Sequence, residues 1–391
     1  MEHDDQFFPK ELETEILLRL PAISLIRFKC VCKSWCSTIN SHSFSTQLLF
    51  HQNDNDNNSS NRYLLLDTTN FPLGKTTRRL SYHTLRAMQT LCPAIDPKLG
   101  KNYYIACACN GLVLFRYFNI ETKWGLWNPT NGHTKLLPPS SSPDALNLKK
   151  SHNDISYRNV GFGFDIKTMD YKVVMIYMTG GTVVLEMYSL KSNSWATIPI
   201  SLDGGLIIIT KKHCHGVFNN GMLSWKAIEI RYKEGVQDQY DGFRHVIISL
   251  NLSCSETIVI TPLPPGTRNL PFGKFNYPVL YEESLALVDH LFSPDRSAKS
   301  FDIWVLGEYG VKESWKKLFS VGPLQDVKRI LGFWKDGKVF IETFYKAKFI
   351  RDQVQNINLF ENELLLLDIA TRQTTSLQIY SERDFEQMFY L

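Results

Sequence analysis

No apolar run in this chain is long enough to cross a bilayer. Long runs such as those at 206–209 and 364–367 are strand-sized, against the roughly 20 residues a spanning helix needs. Charge of one sign is scarce as well. Lys and Arg number 43 against 39 Asp and Glu, a net of +4 over 391 residues, and no basic run stands out. That balance gives no electrostatic case for nucleic acid or a membrane as partner. The eight cysteines are Cys30, Cys32, Cys36, Cys92, Cys107, Cys109, Cys214 and Cys254, and no two have Cys-x-x-Cys spacing. Most lie in apolar surroundings and are expected to be free thiols of a reducing compartment. The acidic opening at residues 1–5 is unlike the basic start of a secretory or mitochondrial signal, so the expected location is the cytoplasm or nucleus.

The motifs of catalysis and metal binding are also missing. The chain has no Gly-x-Ser-x-Gly, no His-Glu-x-x-His and no phosphate loop, the patterns that would announce hydrolytic or nucleotide chemistry. Gly161-Phe162-Gly163-Phe164-Asp165 lacks the third glycine of a dinucleotide fingerprint, and a strand pattern follows it. It reads as a packed strand whose Asp165 closes a turn. His213-Cys214-His215 invites a metal reading. On a strand, however, its two imidazoles share one face and the thiol takes the other, and the spacing is not that of a zinc site. The expectation is no cofactor, no metal and no catalytic residue. A site assembled from distant parts of the chain is not excluded by motif alone.

What is present divides the chain in two. Residues 7–50 read as a small three-helix head. Pro9 suits a helix start, and Leu12, Ile16 and Leu20 recur at i, i+4 and i+8 with Leu17 beside them, as on one helix stripe. Pro21 should end that helix. Ser24 is the expected cap of a second helix carrying Leu25, Phe28 and Cys32, and a third would carry Trp35 and Ile39. A unit of about 40 residues is too small to bury all these side chains. Its surplus predicts a docking partner. Residues 51–62 are a polar tract rich in Asn and Asp, which reads as a linker.

From Tyr63 the texture is β. Short apolar runs alternate with turn pairs such as Asn110-Gly111, Asn220-Gly221 and Asp336-Gly337, which favour tight hairpins. The only further helix expected is a short one over 382–389. Two hairpin types recur. One opens on Gly and an aromatic strand. The other ends near proline, as in Leu126-Trp127…Pro138-Pro139 and Met187-Tyr188…Trp195…Pro199. Two hairpins per unit over 63–380 predict a mainly β fold, a propeller of about six four-stranded blades, with 63–98 as a degenerate blade. Two β-sandwiches are the rival architecture.

The head, with Phe8-Pro9…Leu20-Pro21…Arg27-Phe28-Lys29-Cys30-Val31-Cys32-Lys33-Ser34-Trp35, closely resembles an F-box, with Phe8-Pro9 in place of the usual Leu-Pro. The body resembles the kelch-like F-box-associated domain of plant F-box proteins. Asn110-Gly111-Leu112-Val113, Trp127-Asn128-Pro129-Thr130, Asp170-Tyr171-Lys172-Val173-Val174, Tyr188-Ser189-Leu190…Ser194-Trp195 and Ser314-Trp315-Lys316-Lys317 carry that resemblance. A general similarity extends to the S-locus F-box proteins, which are reported to recognise pistil ribonucleases in self-incompatibility.

The resemblance implies a non-catalytic receptor subunit of an SCF-type (Skp-cullin-F-box) E3 ubiquitin ligase. The head would dock the Skp adaptor and, through it, the cullin and RING proteins. The propeller would hold a protein target for ubiquitination and degradation. A glycan- or ligand-binding propeller sensor coupled to the same ligase is the alternative. The implied adaptor contacts are Pro9, Leu12, Ile16, Leu20, Pro21, Leu25, Phe28, Lys29, Val31 and Trp35. For the target, three long insertions at 231–244, 290–300 and 345–362 are expected as loops. Their aromatic residues Tyr232, Tyr240, Phe243, Phe292, Tyr345 and Phe349 are of the types that anchor interfaces.

Overall fold

The computed structural model describes residues 9–20, 22–41, 43–44, 47–48, 63–70, 74–81, 87–91, 103–117, 123–129, 131–139, 159–179, 182–198, 206–209, 216–232, 240–254, 258–267, 276–293, 298–351, 356–381, 385 and 389–390. Three helices come first: α1 (Lys10–Leu18), α2 (Ala22–Phe28) and α3 (Lys33–Asn40). Pro9 stands just before α1, and its carbonyl accepts from the Leu12 and Glu13 N–H groups at 3.0 and 3.2 Å. α2 begins two residues before the expected cap, so Ser24 lies inside it. Ala22 suits a helix start, since alanine has the highest helix propensity. Cys32 caps α3 by accepting from the Trp35 N–H at 3.4 Å. The head has its own core of Leu17, Leu18, Leu25, Ile39 and Phe44, with Leu20, Phe28, Trp35 and Leu48 packed on it.

The described strands of the body form six antiparallel sheets. The first holds β1 (Tyr63–Asn70), β2 (Gly74–Ser81) and β3 (Ala87–Leu91). The second runs β4 (Tyr103–Cys109), β5 (Leu112–Tyr117), β6 (Trp124–Trp127) and β7 (Thr134–Leu136). The third is β8 (Asn159–Asp165), β9 (Asp170–Thr179), β10 (Thr182–Ser189) and β11 (Ser194–Ile198). In the fourth, β12 (Leu206–Ile209) and β13 (Val217–Asn219) both pair with β14 (Met222–Tyr232), followed by β15 (Tyr240–Asn251) and β16 (Ile258–Pro262). The fifth is β17 (Asn276–Tyr281), β18 (Ser284–Phe292), β19 (Ala298–Leu306) and β20 (Trp315–Gln325). The sixth is β21 (Val327–Trp334), β22 (Lys338–Arg351), β23 (Asn356–Asp368) and β24 (Thr374–Ser381). The chain's last strand, β25 (Phe389–Tyr390), then pairs back onto β1, with Leu65 opposite Phe389 and Leu64 opposite Tyr390.

That pairing puts the end of the chain in the place that β4, β8, β17 and β21 hold in their own sheets. The propeller therefore continues to Tyr390, past the expected boundary at 380. Phe389 is strand where a helix over 382–389 was expected. A closed ring leaves no wide-open sheet edge between its first and last blades, which removes a route to aggregation.

Six apolar cores, one for each pair of neighbouring sheets, complete the ring. Leu65 joins sheet one to Phe115 and Trp127 of sheet two. Leu126 meets Phe162 between two and three. Ile176 meets Trp225 between three and four, and Ile247 meets Leu287 between four and five. Phe301 meets Ile341 between five and six, and Phe340 meets Leu66 between six and one. Inner stretches such as β8 and residues 173–176 of β9 are buried on both faces. Val174 and Ile176 face one neighbour while Val173 and Met175 face the other. This is why runs such as 173–176 are continuously apolar instead of alternating, as a half-exposed sandwich strand would be.

The recurrent sequence motifs hold this ring together. Asn110-Gly111, Asn220-Gly221 and Asp336-Gly337 all have positive φ at both positions, the geometry of the tight type I′ hairpin. Gly161 and Gly163 lie where sheet three meets sheet four, and a Cβ on Gly161 would sit 2.5 Å from Cζ2 of Trp225. Asp165 does close a turn, accepting from the Lys167 N–H at 3.0 Å and from Thr168 at 2.6 Å. Asp170 braces the β10–β11 turn through Ser189 and the Lys191 N–H. Tyr171 stacks on Phe162 with centroids 5.7 Å apart. Lys172 binds Asp165 at 2.6 Å and the Leu252 carbonyl of sheet four at 2.8 Å.

Candidate interaction surfaces

On the head, the structure sorts the implied adaptor contacts into two groups. Leu12 and Ile16, one turn apart on α1, are each 50% exposed, and Val31 is 61% exposed. Pro9 is exposed too, and Lys29 is half-buried. Leu25 is only 4% exposed and belongs to the head's own core. As a docking residue it is corrected, because its burial stabilises the three helices and leaves nothing to offer a partner. Leu20, Phe28 and Trp35 are half-buried against that core, with the Phe28 and Trp35 rings 5.2 Å apart. Pro21 lies outside the described residues. Ile26, at 51% exposure, was not among the expected contacts. It follows Leu25 in an unbroken apolar run, where helical periodicity could have separated the two faces.

On the propeller, the described residues of the three long insertions are mostly strand where loops were expected. They extend hairpins of sheets four, five and six, as β14–β15, β18–β19 and β22–β23. The backbones of Tyr232 and Tyr240 pair across the first of these, and Tyr345 and Phe349 lie on β22. The side chains of these four are outside the described residues. Phe243 is half-buried, its ring edge-on to His245 at 6.0 Å. The β18–β19 and β22–β23 hairpins meet at one rim of the ring, where Lys299 of one approaches the Phe344 ring of the other.

Between sheets five and six this rim holds a group of cations and aromatics. Lys299, opposite Phe292 on the β18–β19 hairpin, has its Nζ 5.6 Å from the Phe292 ring and 5.9 Å from that of Phe344. Lys328 Nζ lies 5.1 Å from the Phe344 ring. Such distances are in cation–π range. Beneath them the fully buried Glu342 accepts from Arg329 Nε at 2.8 Å and from the Phe385 N–H at 3.1 Å, and pairs with Lys328 at 3.5 Å. Tyr277 donates to the Ile330 carbonyl at 2.5 Å. Burial pushes its phenol far above the ordinary range. Burial also lowers the pKa of Lys299, and the charge of Lys328 lowers it further, more than Glu342 restores. Lys299, Lys328 and Phe344 were missed in the sequence. The signal available was the spacing of Phe340, Glu342 and Phe344, which puts these three on one face of β22.

Among the described residues no group of three or more His, Cys, Asp or Glu could hold a metal ion, and no helix is long and apolar enough to cross a membrane. His213, Cys214, His215 and Cys92 lie outside the described residues. Cys30, Cys32, Cys36, Cys107, Cys109 and Cys254 are free thiols. Burial raises the pKa of Cys107 and Cys109 far above the ordinary range, which makes them inert.

The family model described as the F-box associated beta propeller domain matches residues 83–374. The chain belongs to that family. An F-box domain model matches residues 8–47, the helical head. The F-box/kelch-repeat protein At3g23880 of Arabidopsis thaliana is 29% identical over 344 residues, covering 86% of this chain and 85% of that protein. The F-box protein CPR1 of the same plant is 23% identical over 362 residues, covering 88% and 81%. Among solved structures, TolB from Acinetobacter baumannii overlays with a TM-score of 0.43 at 10% identity, covering 88% of this chain and 70% of that one. In this F-box associated propeller the matched span begins after β2 and ends at the first residue of β24. The strands that close the ring, β1 and β25, lie outside it.

Proposed function

We propose that this F-box protein is the substrate-recognition subunit of an SCF-type E3 ubiquitin ligase. Its head docks a Skp adaptor, which brings the cullin and RING proteins, and its propeller holds a protein target. The chain itself does no bond chemistry. It raises the local concentration of target beside the ubiquitin-charged conjugating enzyme. This role belongs to the cytoplasm or nucleus. The observation that carries the reading is that the head's core closes without Leu12 and Ile16, which are left half in water on one helix face. Burying such a side chain under a partner recovers roughly 1.5–3 kcal/mol. Recognition of a pistil ribonuclease is one specific target class to test, by capture with such ribonucleases.

The adaptor test is co-purification. Ile16→Asp places a charge on the exposed face and is expected to abolish capture of the Skp adaptor while the propeller melts as before. Leu25→Asp is not a clean test, because it puts a charge into the head's core and unfolds it. Retention of the adaptor by Ile16→Asp would refute the docking mode.

A further inference from the structure

We propose that the rim formed by Phe292, Lys299, Lys328 and Phe344 receives an acidic, aromatic-bearing peptide segment of the target protein. A carboxylate would sit at Lys299 and an apolar ring against Phe344. This names the chemistry of the target and rests on the receptor role proposed above.

Phe344 is 55% exposed, on a strand whose neighbouring residues Phe340 and Ile341 are fully buried. An exposed large ring held by backbone pairing is a preformed anchor, which costs little ordering entropy to use. Lys299 is half-buried, and its ammonium donates to the Lys328 carbonyl at 3.2 Å. An ammonium has three donors, so two remain for a ligand. Lys328 stands beside it as a second cation on the Phe344 ring, and its repulsion of the Lys299 charge is larger than the attraction of Glu342. Glu342 lies below, engaged by Arg329 and the Phe385 N–H. Glu363 binds Ser376 instead, on the opposite face of the sheet. A carboxylate arriving between the ammonium groups relieves this repulsion. The two flanking rings exclude water around it and strengthen the attraction. A basic segment meets the opposite field and is rejected.

The test uses the full-length chain and three short labelled peptides in fluorescence anisotropy. One alternates Asp with Phe, one has Lys for every Asp, and one has Ser for every Phe. The Asp-Phe peptide is expected to bind, the Lys peptide not at all, and the Ser peptide more weakly. Lys299→Met keeps the stem and removes the charge. It should weaken the Asp-Phe peptide about tenfold, as loss of a desolvated charge contact does. Phe344→Ser, at an exposed position that the fold does not need, should weaken it similarly. Equal binding of the three peptides, no binding of any, or unchanged binding by both variants overturns the proposal. Adaptor capture is read on the same samples. Both rim variants should keep it, so loss of peptide binding and loss of the ligase role remain separate results.

Discussion

Trp315 Nε1 donates to the carbonyl of Pro262 at 2.8 Å, tying the outer strand of sheet five to the end of the outer strand of sheet four. Trp195 repeats the bond between sheets three and two, to the Pro138 carbonyl at 2.7 Å. The proline has no N–H of its own to lose, and its carbonyl finds a partner on the next blade. The recurrence of Trp and Pro in the sequence thus has a physical cause in the joints between blades.

Trp315 is therefore expected to matter for stability by two routes. Trp315→Phe keeps most of the apolar area and loses the bond, for a cost of about 1 kcal/mol. Trp315→Ala also empties the core it shares with Leu285 and Leu306, for a cost of about 3–5 kcal/mol. Urea unfolding of the parent and both variants separates the two, and a Trp315→Phe midpoint equal to the parent's would show that the bond contributes nothing.

Gly161 is expected to tolerate no side chain. The Cβ of Gly161→Ala would sit 2.5 Å from Cζ2 of Trp225. That indole is buried and pinned by its 3.1 Å bond to the Val160 carbonyl. Overpacking of this kind costs about 1–3 kcal/mol. A melting temperature equal to that of the parent would show that the sheet three–four joint can yield.

Asp165 should give the fold an acid-sensitive joint. Burial alone would raise its pKa, but hydrogen bonds from Lys172, Ser253 and Thr168 outweigh that and hold it at about 2. A carboxyl depressed in the folded state contributes stability above its unfolded value of about 3.9, and that contribution is lost as pH falls towards the folded value. After screening it amounts to about 1–2 kcal/mol. The stability gap between the parent and Asp165→Asn should be constant above about pH 5 and shrink between about pH 4 and 2. A gap independent of pH would rule out the ion pair as its source.

The ring closure can be tested by removing residues 389–391. Without Phe389 and Tyr390, Leu64 and Leu65 keep their β2 partners but lose those on the other edge of β1, and the first and last blades lose the pairing that joins them. The truncated chain should melt lower and be cut by protease first within residues 63–91. Unchanged melting and cleavage would show that the apolar cores alone hold the ring shut.

The helical head was legible because its signals are local: proline before a helix, apolar spacing, and an aromatic-basic run. The blades were legible for a similar reason. Asn-Gly and Asp-Gly turns fix hairpins through φ, and a strand buried on both faces needs an unbroken apolar run such as 173–176. The extended hairpins were misread as loops because charged residues such as Lys346 and Lys348 interrupt the apolar pattern. Backbone pairing does not need that pattern once the strand rises above the core.

The chain order of turns and apolar runs by itself determined a helical head, a series of four-stranded units and the family to which they belong. These depend on contacts between residues close in sequence. Only the tertiary structure decided that Leu25 is core while Leu12 and Ile16 face outwards, since periodicity marks faces without saying which one is covered. It also decided that Phe389 and Tyr390 close the first sheet, and that Lys299 and Phe344 from neighbouring blades meet on one rim. Such meetings depend on the closure of the ring, a global condition that no local stretch of sequence encodes.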